Sequence, residues 1–123
     1  MRNAIFAGLL ATGLIAGTAL AQPPGLKDQH GAKADAKGMA LYTFDKDETG
    51  KSNCYDMCAT NWPPFMAAAD AQPEGEWTIV ERTDGTKMWA YDGKPLYTFI
   101  KDTKPGEVMG DGANDVWHVA KPD

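Results

Sequence analysis

The chain has 123 residues, 43% of them hydrophobic, with 17 acidic against 12 basic side chains and a formal net charge of −5. That balance argues against nucleic acid and against anionic lipid surfaces, because both demand a basic face. The length suits one domain, and beyond the N-terminus no apolar stretch is long enough to span a bilayer.

Arg2 supplies a positive charge, Ala4 to Leu20 carry none, and the stretch closes on Ala19-Leu20-Ala21 before Gln22-Pro23-Pro24. A charged start, an apolar middle and a small-x-small end predict a secretory signal peptide over residues 1–21. No cysteine sits at the cleavage point to carry a lipid. Removal of residues 1–21 leaves 102 residues with 11 Lys and Arg against 17 Asp and Glu, a net charge of −6. Residues 22–37 read as a flexible leader. Gln22-Pro23-Pro24-Gly25 resists regular structure, and Lys27 to Lys37 shows no apolar stripe. His30 falls within it. The domain proper is expected over residues 38–123.

Leu41 to Phe44 is aromatic and β-branched, as strands are. The acidic turn Asp45-Lys46-Asp47-Glu48-Thr49-Gly50 follows. Ser52 or Asn53 can cap a short helix over residues 54–61, which Trp62-Pro63-Pro64 stops. Trp77 to Glu81 and Lys87 to Tyr91 read as strands joined by the tight-turn signal Asp84-Gly85. Asp92-Gly93 then turns the chain into a third strand, Leu96 to Ile100. Glu107 to Asp115 is a Gly-rich loop, and Val116 to Val119 is a last strand.

The chain repeats itself at an offset of 55. Gly38-Met39-Ala40-Leu41-Tyr42-Thr43-Phe44-Asp45-Lys46-Asp47 matches Gly93-Lys94-Pro95-Leu96-Tyr97-Thr98-Phe99-Ile100-Lys101-Asp102 at seven of ten positions, and Trp62 aligns with Trp117. Internal repetition implies two equivalent halves, related by a pseudo-two-fold axis. The fold class is therefore mostly β, a β-rich α+β domain. Two tandem motif repeats, 38–66 and 93–121, form a small antiparallel sheet domain with one short helix near Cys54–Asn61, and a β-hairpin segment joins them. Tyr42, Phe44, Trp62, Trp77, Trp89, Tyr97, Phe99 and Trp117 are the expected core.

The motif Tyr42-x-Phe44-x-x-Asp47, its echo Tyr97-x-Phe99-x-x-Asp102, the run Ser52-x-Cys54-x-x-x-Cys58-Ala59-x-x-Trp62-Pro63-Pro64, and Trp117-His118-Val119 carry a resemblance. Together they resemble a bacterial family, the secreted repeat of unknown function, described as predicted lipoproteins with a Y-x-[FWY]-x-x-D motif. The resemblance covers about residues 38–122 and implies export, two repeats and no established activity. The chain departs from many members in lacking a lipidation cysteine.

Four groups of residues could carry chemistry. Cys54 and Cys58 are the only cysteines of an exported chain, so a disulfide is the default. As thiolates they could instead hold copper or another soft metal, with Met57, Met109 and His118 as further ligands. A covalent haem is not expected without C-x-x-C-H. Asp45, Asp47, Thr49 and Asp56 approximate the ligand spacing of a calcium loop, with Gly50 at its turn, but a turn in which Asp47 accepts backbone N–H bonds is the plainer reading. The Tyr–Asp pair of each copy could do acid–base work, yet a pair present twice reads as scaffold. His118 reads as a half-buried strand residue. With no triad, phosphate loop or zinc motif, the chain reads as a non-catalytic periplasmic or secreted module, structural or interacting, with a protein or cell-envelope partner and no cofactor. The alternative is a copper- or other metal-binding or redox accessory protein using Cys54 and Cys58.

Overall fold

The computed structural model describes residues 27–29 and 31–121. The expected signal peptide, residues 22–26 and His30 lie outside the described residues. In chain order the strands are β1 (Lys27–Gln29), β2 (Ala32–Ala34), β3 (Tyr42–Phe44), β4 (Met66–Ala67), β5 (Trp77–Glu81), β6 (Lys87–Tyr91), β7 (Lys94–Pro95) and β8 (Trp117–Val119). One helix, α1 (Met57–Asn61), follows β3, and a 3-10 turn, Ala113–Asp115, precedes β8.

The two copies meet at their tyrosines. Tyr42 N–H donates to the Tyr97 carbonyl at 2.8 Å and Tyr97 N–H returns a bond to the Tyr42 carbonyl at 3.0 Å. Equivalent residues that exchange both backbone bonds lie astride a pseudo-two-fold axis. Other bonds obey the same relation. Ala120 N–H to the Leu41 carbonyl is matched by Phe65 N–H to Leu96, and Asp45 N–H to Val116 by Ile100 N–H to Asn61. Lys33 N–H to Ala120 is matched by Trp89 N–H to Phe65. Every one of these bonds joins the first half to the second. The strands are exchanged likewise: β3 pairs with β8 through Tyr42↔Val119 and Phe44↔Trp117, and β4 pairs with β6 through Met66↔Met88.

The last relation corrects the expectation of a flexible leader for the described part of it, residues 27–29 and 31–37. Lys33 stands where Trp89 stands in the other half, so β1 and β2 are the first repeat's counterpart of the β5–β6 hairpin. Gly31, at φ 80°, makes the tight turn between β1 and β2. The strand β2 escapes a hydrophobic-pattern search because it fills its place with Ala32 and Ala34, both fully buried, and not with large apolar side chains. The ordered domain thus begins by Lys27, ahead of residue 38.

Three expected elements differ in extent. The helix begins at Met57, because Asp56 adopts φ 57° and breaks the helical run; neither Ser52 nor Asn53 caps it. In place of a third full strand over Leu96–Ile100, only Lys94–Pro95 pairs with β6. Beyond it the backbone turns to reach the first half, with Tyr97 bridging Tyr42 and Pro64. The segment 107–115 contains the 3-10 turn that answers to α1, although it holds no disulfide.

Candidate functional site

The repeated motif residues form the interior. Tyr42 and Tyr97 are both fully buried, and each hydroxyl reaches across to the other copy's acid. Tyr42 Oη donates to Asp102 Oδ2 at 2.6 Å, and Tyr97 Oη donates to Asp47 Oδ2 at 2.7 Å. The second carboxylate oxygens accept backbone N–H bonds, from Asn53 to Asp47 and from Met109 to Asp102. Burial first, then the acidic neighbour, pushes both phenols well above the ordinary tyrosine range. Burial also raises the Asp47 carboxyl, against the opposing pull of Asn53 N–H, the Tyr97 hydroxyl and Arg82. The two phenols thus stay protonated and hydrogen-bonded throughout the neutral range.

The rings assemble with the same crossing. Phe99 stacks on Trp62 at 3.9 Å between centroids, Trp62 on Trp117 at 3.8 Å, and Trp117 on Phe44 at 4.2 Å. Tyr42 and Tyr97 abut this column edge-on, each 5.2 Å from one tryptophan. Gly110 is required beside it. A Cβ there would lie 2.5 Å from the Trp62 ring and 2.8 Å from Phe99.

Cys54 and Cys58 are joined as a disulfide with their Cα atoms 5.2 Å apart. Cys54 lies just before α1, and its carbonyl accepts from Arg82 Nη2 at 2.7 Å. Arg82 Nη1 donates to Ser52 Oγ, which also bonds the Tyr97 hydroxyl. A buried arginine thereby ties the bridge, the first repeat's acidic turn and the second repeat's tyrosine into one satisfied network. The other metal candidates are scattered. Met57 and Met109 are largely exposed, and His118 Nε2 lies 2.9 Å from Asp45 Oδ2. The calcium candidates are not gathered into a loop site either. Asp45 faces His118, Asp47 is taken up by Tyr97 and Asn53, Thr49 packs against Gly93, and Asp56 is exposed. Among the described residues no three His, Cys, Asp or Glu side chains group as a metal centre would require.

What the structure does assemble is a groove of about 400 Å³ on the outer face of the β3–β8 ribbon. Side chains alternate along a strand. Tyr42, Phe44, Trp117 and Val119 face the core, so the intervening pair Thr43 and His118 faces the groove. Leu96, Val119 and Ala120, themselves buried, lie beneath it, and Asp45, Asp92, Lys94 and Lys121 stand around it. Lys33 enters from β2. Its side chain is buried and its ammonium sits 4.2 Å from the centre of the Tyr91 ring, a cation–π seat.

The pseudo-two-fold shows how unusual these residues are for the fold. Lys33 corresponds to Trp89, Lys94 to Met39 and Lys121 to Met66. His118 corresponds to Pro63 and Asp45 to Ile100. At every one of these positions the second copy of the environment carries an apolar side chain, and the groove has a lysine, an aspartate or a histidine. His118 and Asp45, expected as a soft-metal and a calcium ligand, instead face this groove together with Lys33, Lys94 and Lys121. For Lys94 and Lys121 the signal lies in the aligned repeats, where Met39 and Met66 stand opposite; for Lys33 only the backbone bonds reveal the counterpart.

A family model described as a secreted repeat of unknown function matches residues 28–66 and 78–121, each repeat with its leading hairpin included. No curated protein and no solved structure matches the chain. No helix among the described residues is long and apolar enough to cross a membrane.

Proposed function

The chain belongs to the family of the secreted repeat of unknown function, and on that premise we propose that it is an exported, non-catalytic binding module whose ligand enters the groove beside His118. The observation that carries this reading is the break in symmetry. The counterpart positions carry the uncharged apolar residues Trp89, Pro63, Ile100 and Met66, of which Trp89 is buried in the core. The groove has Lys33, His118, Asp45 and Lys121 instead, and the buried one, Lys33, replaces an apolar core side chain at a desolvation cost. A concave surface with an apolar floor and a few converging polar groups is the ordinary form of a small-ligand site.

The partner is a small solute or a terminal group of the cell envelope, met in the periplasm or outside the cell. The motif tyrosines and acids hold the fold and take no part in chemistry. A copper or redox role for Cys54 and Cys58 would first require the bridge to open, and the bridge is joined through Arg82 to the buried network.

Protein-observed NMR of the processed chain, titrated with the small molecules of an envelope extract, tests the reading. Shifts should be confined to residues 43–45, 91–96 and 118–121, and the extract should be unchanged after hours of incubation. Consumption of a component would make the protein an enzyme. Shifts centred on Cys54–Cys58 would move the site there.

A further inference from the structure

We infer that the chain has a second copy of itself as a partner, joined to it by exchange of halves. The half that ends at Ala67 in one chain packs on the half that begins at Trp77 in the other, and the reverse. The basis is where the contacts run. The Tyr42–Asp102 and Tyr97–Asp47 bonds, the Trp62–Trp117 stack and the β3–β8 and β4–β6 ladders all join one half to the other. The disulfide, the β1–β2 hairpin and the β5–β6–β7 meander lie within a half. None of the crossing contacts needs both halves to come from one chain. An exchanged pair keeps every one of them, and only the linker differs.

That linker, residues 68–76, is suited to open. All of it but Ala71 is exposed. Ala71 N–H donates to the Ala68 carbonyl and Gln72 Nε2 to that of Asp70, both within the linker. Its ties to the folded body come from Trp77, Lys87 and Asp92, all in the second half. It must also make a crossover. The strands β4 and β5 flank β6 and run the same way, with Ala67 opposite Lys87 and Trp77 opposite Tyr91. Two strand spacings across, and the stretch from Lys87 to Tyr91 along, give a span of about 16 Å. The linker covers it with slack, which holds the halves of one chain at an effective concentration on the order of 1 mM. Below that protein concentration the closed chain prevails, and above it the exchanged pair. Each pair carries two composite grooves, with Lys33, Thr43 and Asp45 from one chain and Lys94, His118 and Lys121 from the other. A ligand repeated along a surface is then held bivalently. That consequence rests on the groove as the binding site; the exchange itself does not.

Refolding from urea tests the exchange. The processed chain is refolded at about 1 mM and at about 10 μM, then sized by chromatography with light scattering. A dimer peak is expected from the first and a monomer from the second. Isotope-filtered NMR of a dimer refolded from mixed labelled and unlabelled chains should show the Trp62 ring against the Trp117 ring of the other chain. Deletion of residues 69–74 leaves a linker too short for the span, so the shortened chain should be a folded dimer even at about 10 μM, a shift of roughly 100-fold in the concentration required. Its groove amides should keep the chemical shifts of the closed monomer. The exchange is overturned by a shortened chain that is a folded monomer or does not fold. It is equally overturned if the unmodified chain yields no dimer at the higher concentration, or a dimer whose Trp62–Trp117 contact stays within each chain. None of these outcomes touches the groove titration, whose failure would remove only the bivalent binding.

Discussion

Trp62 and Trp117 lie face to face, 3.8 Å between centroids and 4° from parallel, although 55 residues separate them in sequence. Each is the counterpart of the other, so the contact joins the two copies at their axis. Phe99 and Phe44 extend the stack at either end, and each phenylalanine belongs to the copy opposite its tryptophan. Stacked aromatic pairs contribute about 0.5–1.5 kcal/mol each beyond the area they bury.

Gly110→Ala tests this column. The added methyl meets two rings at under 3 Å, neither of which is the end of a flexible chain. Destabilisation of about 1–3 kcal/mol is expected from overpacking. Thermal denaturation followed by near-ultraviolet circular dichroism should report a lower Tm and a changed tryptophan signal. An unchanged Tm would place the rings further from residue 110.

Tyr42→Phe and Tyr97→Phe remove the crossing hydroxyls. Each leaves a buried or half-buried carboxylate short of a donor, and Tyr42→Phe also orphans the Gly110 N–H. A loss of about 1–3 kcal/mol per substitution is expected in urea unfolding. The double variant should depart from the sum, because the two tyrosines exchange backbone bonds and abut the same stacked tryptophans.

Both phenols are held neutral by burial, while the unfolded chain ionises its tyrosines near pH 10. Above that pH the folded state binds more protons than the unfolded state, so stability falls as pH rises. Absorbance at the phenolate band should show two tyrosines that ionise only when the fold is lost. Asp47 follows the same sign in the acid range. Its carboxyl, raised by burial, keeps a proton that the unfolded chain sheds near pH 4, so its contribution falls as pH climbs from about 4 through the folded value. Asp47→Asn should flatten that part of the stability profile.

Reduction of Cys54–Cys58, or Cys54→Ser with Cys58→Ser, opens a loop with a sequence separation of 4. Chain entropy over so short a loop gives about 2 kcal/mol. Equilibrium unfolding with and without reductant measures it. A much larger loss would show that the Arg82 network collapses together with the bridge.

How much of this could be read beforehand follows from the kind of residue involved. Tyr42, Phe44, Trp62 and their echoes were legible because large aromatics at a fixed offset mark a duplicated core. The disulfide was legible from compartment and spacing. The hairpin at 27–34 was not, because alanines bury without leaving a hydrophobic pattern. Nor was the crossing visible: a repeat shows that two halves are alike, but whether Tyr97 meets Asp102 or Asp47 depends on how the chain returns. Arg82 gives no periodic signal, and its role as a buried tie emerges only when Ser52 and Cys54 come beside it. Lys94 and Lys121 lie on the surface, where local pattern carries no weight, and buried Lys33 stands out only beside its counterpart Trp89.

The reciprocal Tyr–Asp bonds have one more consequence. Severed between its copies, the chain would leave each fragment with a phenol lacking its acceptor and half a ring stack facing water. Neither fragment would be expected to stand by itself, yet two identical ones could satisfy each other by the same reach. The architecture is that of a two-fold dimer carried on one polypeptide, in which the tether lets the two related surfaces differ in charge.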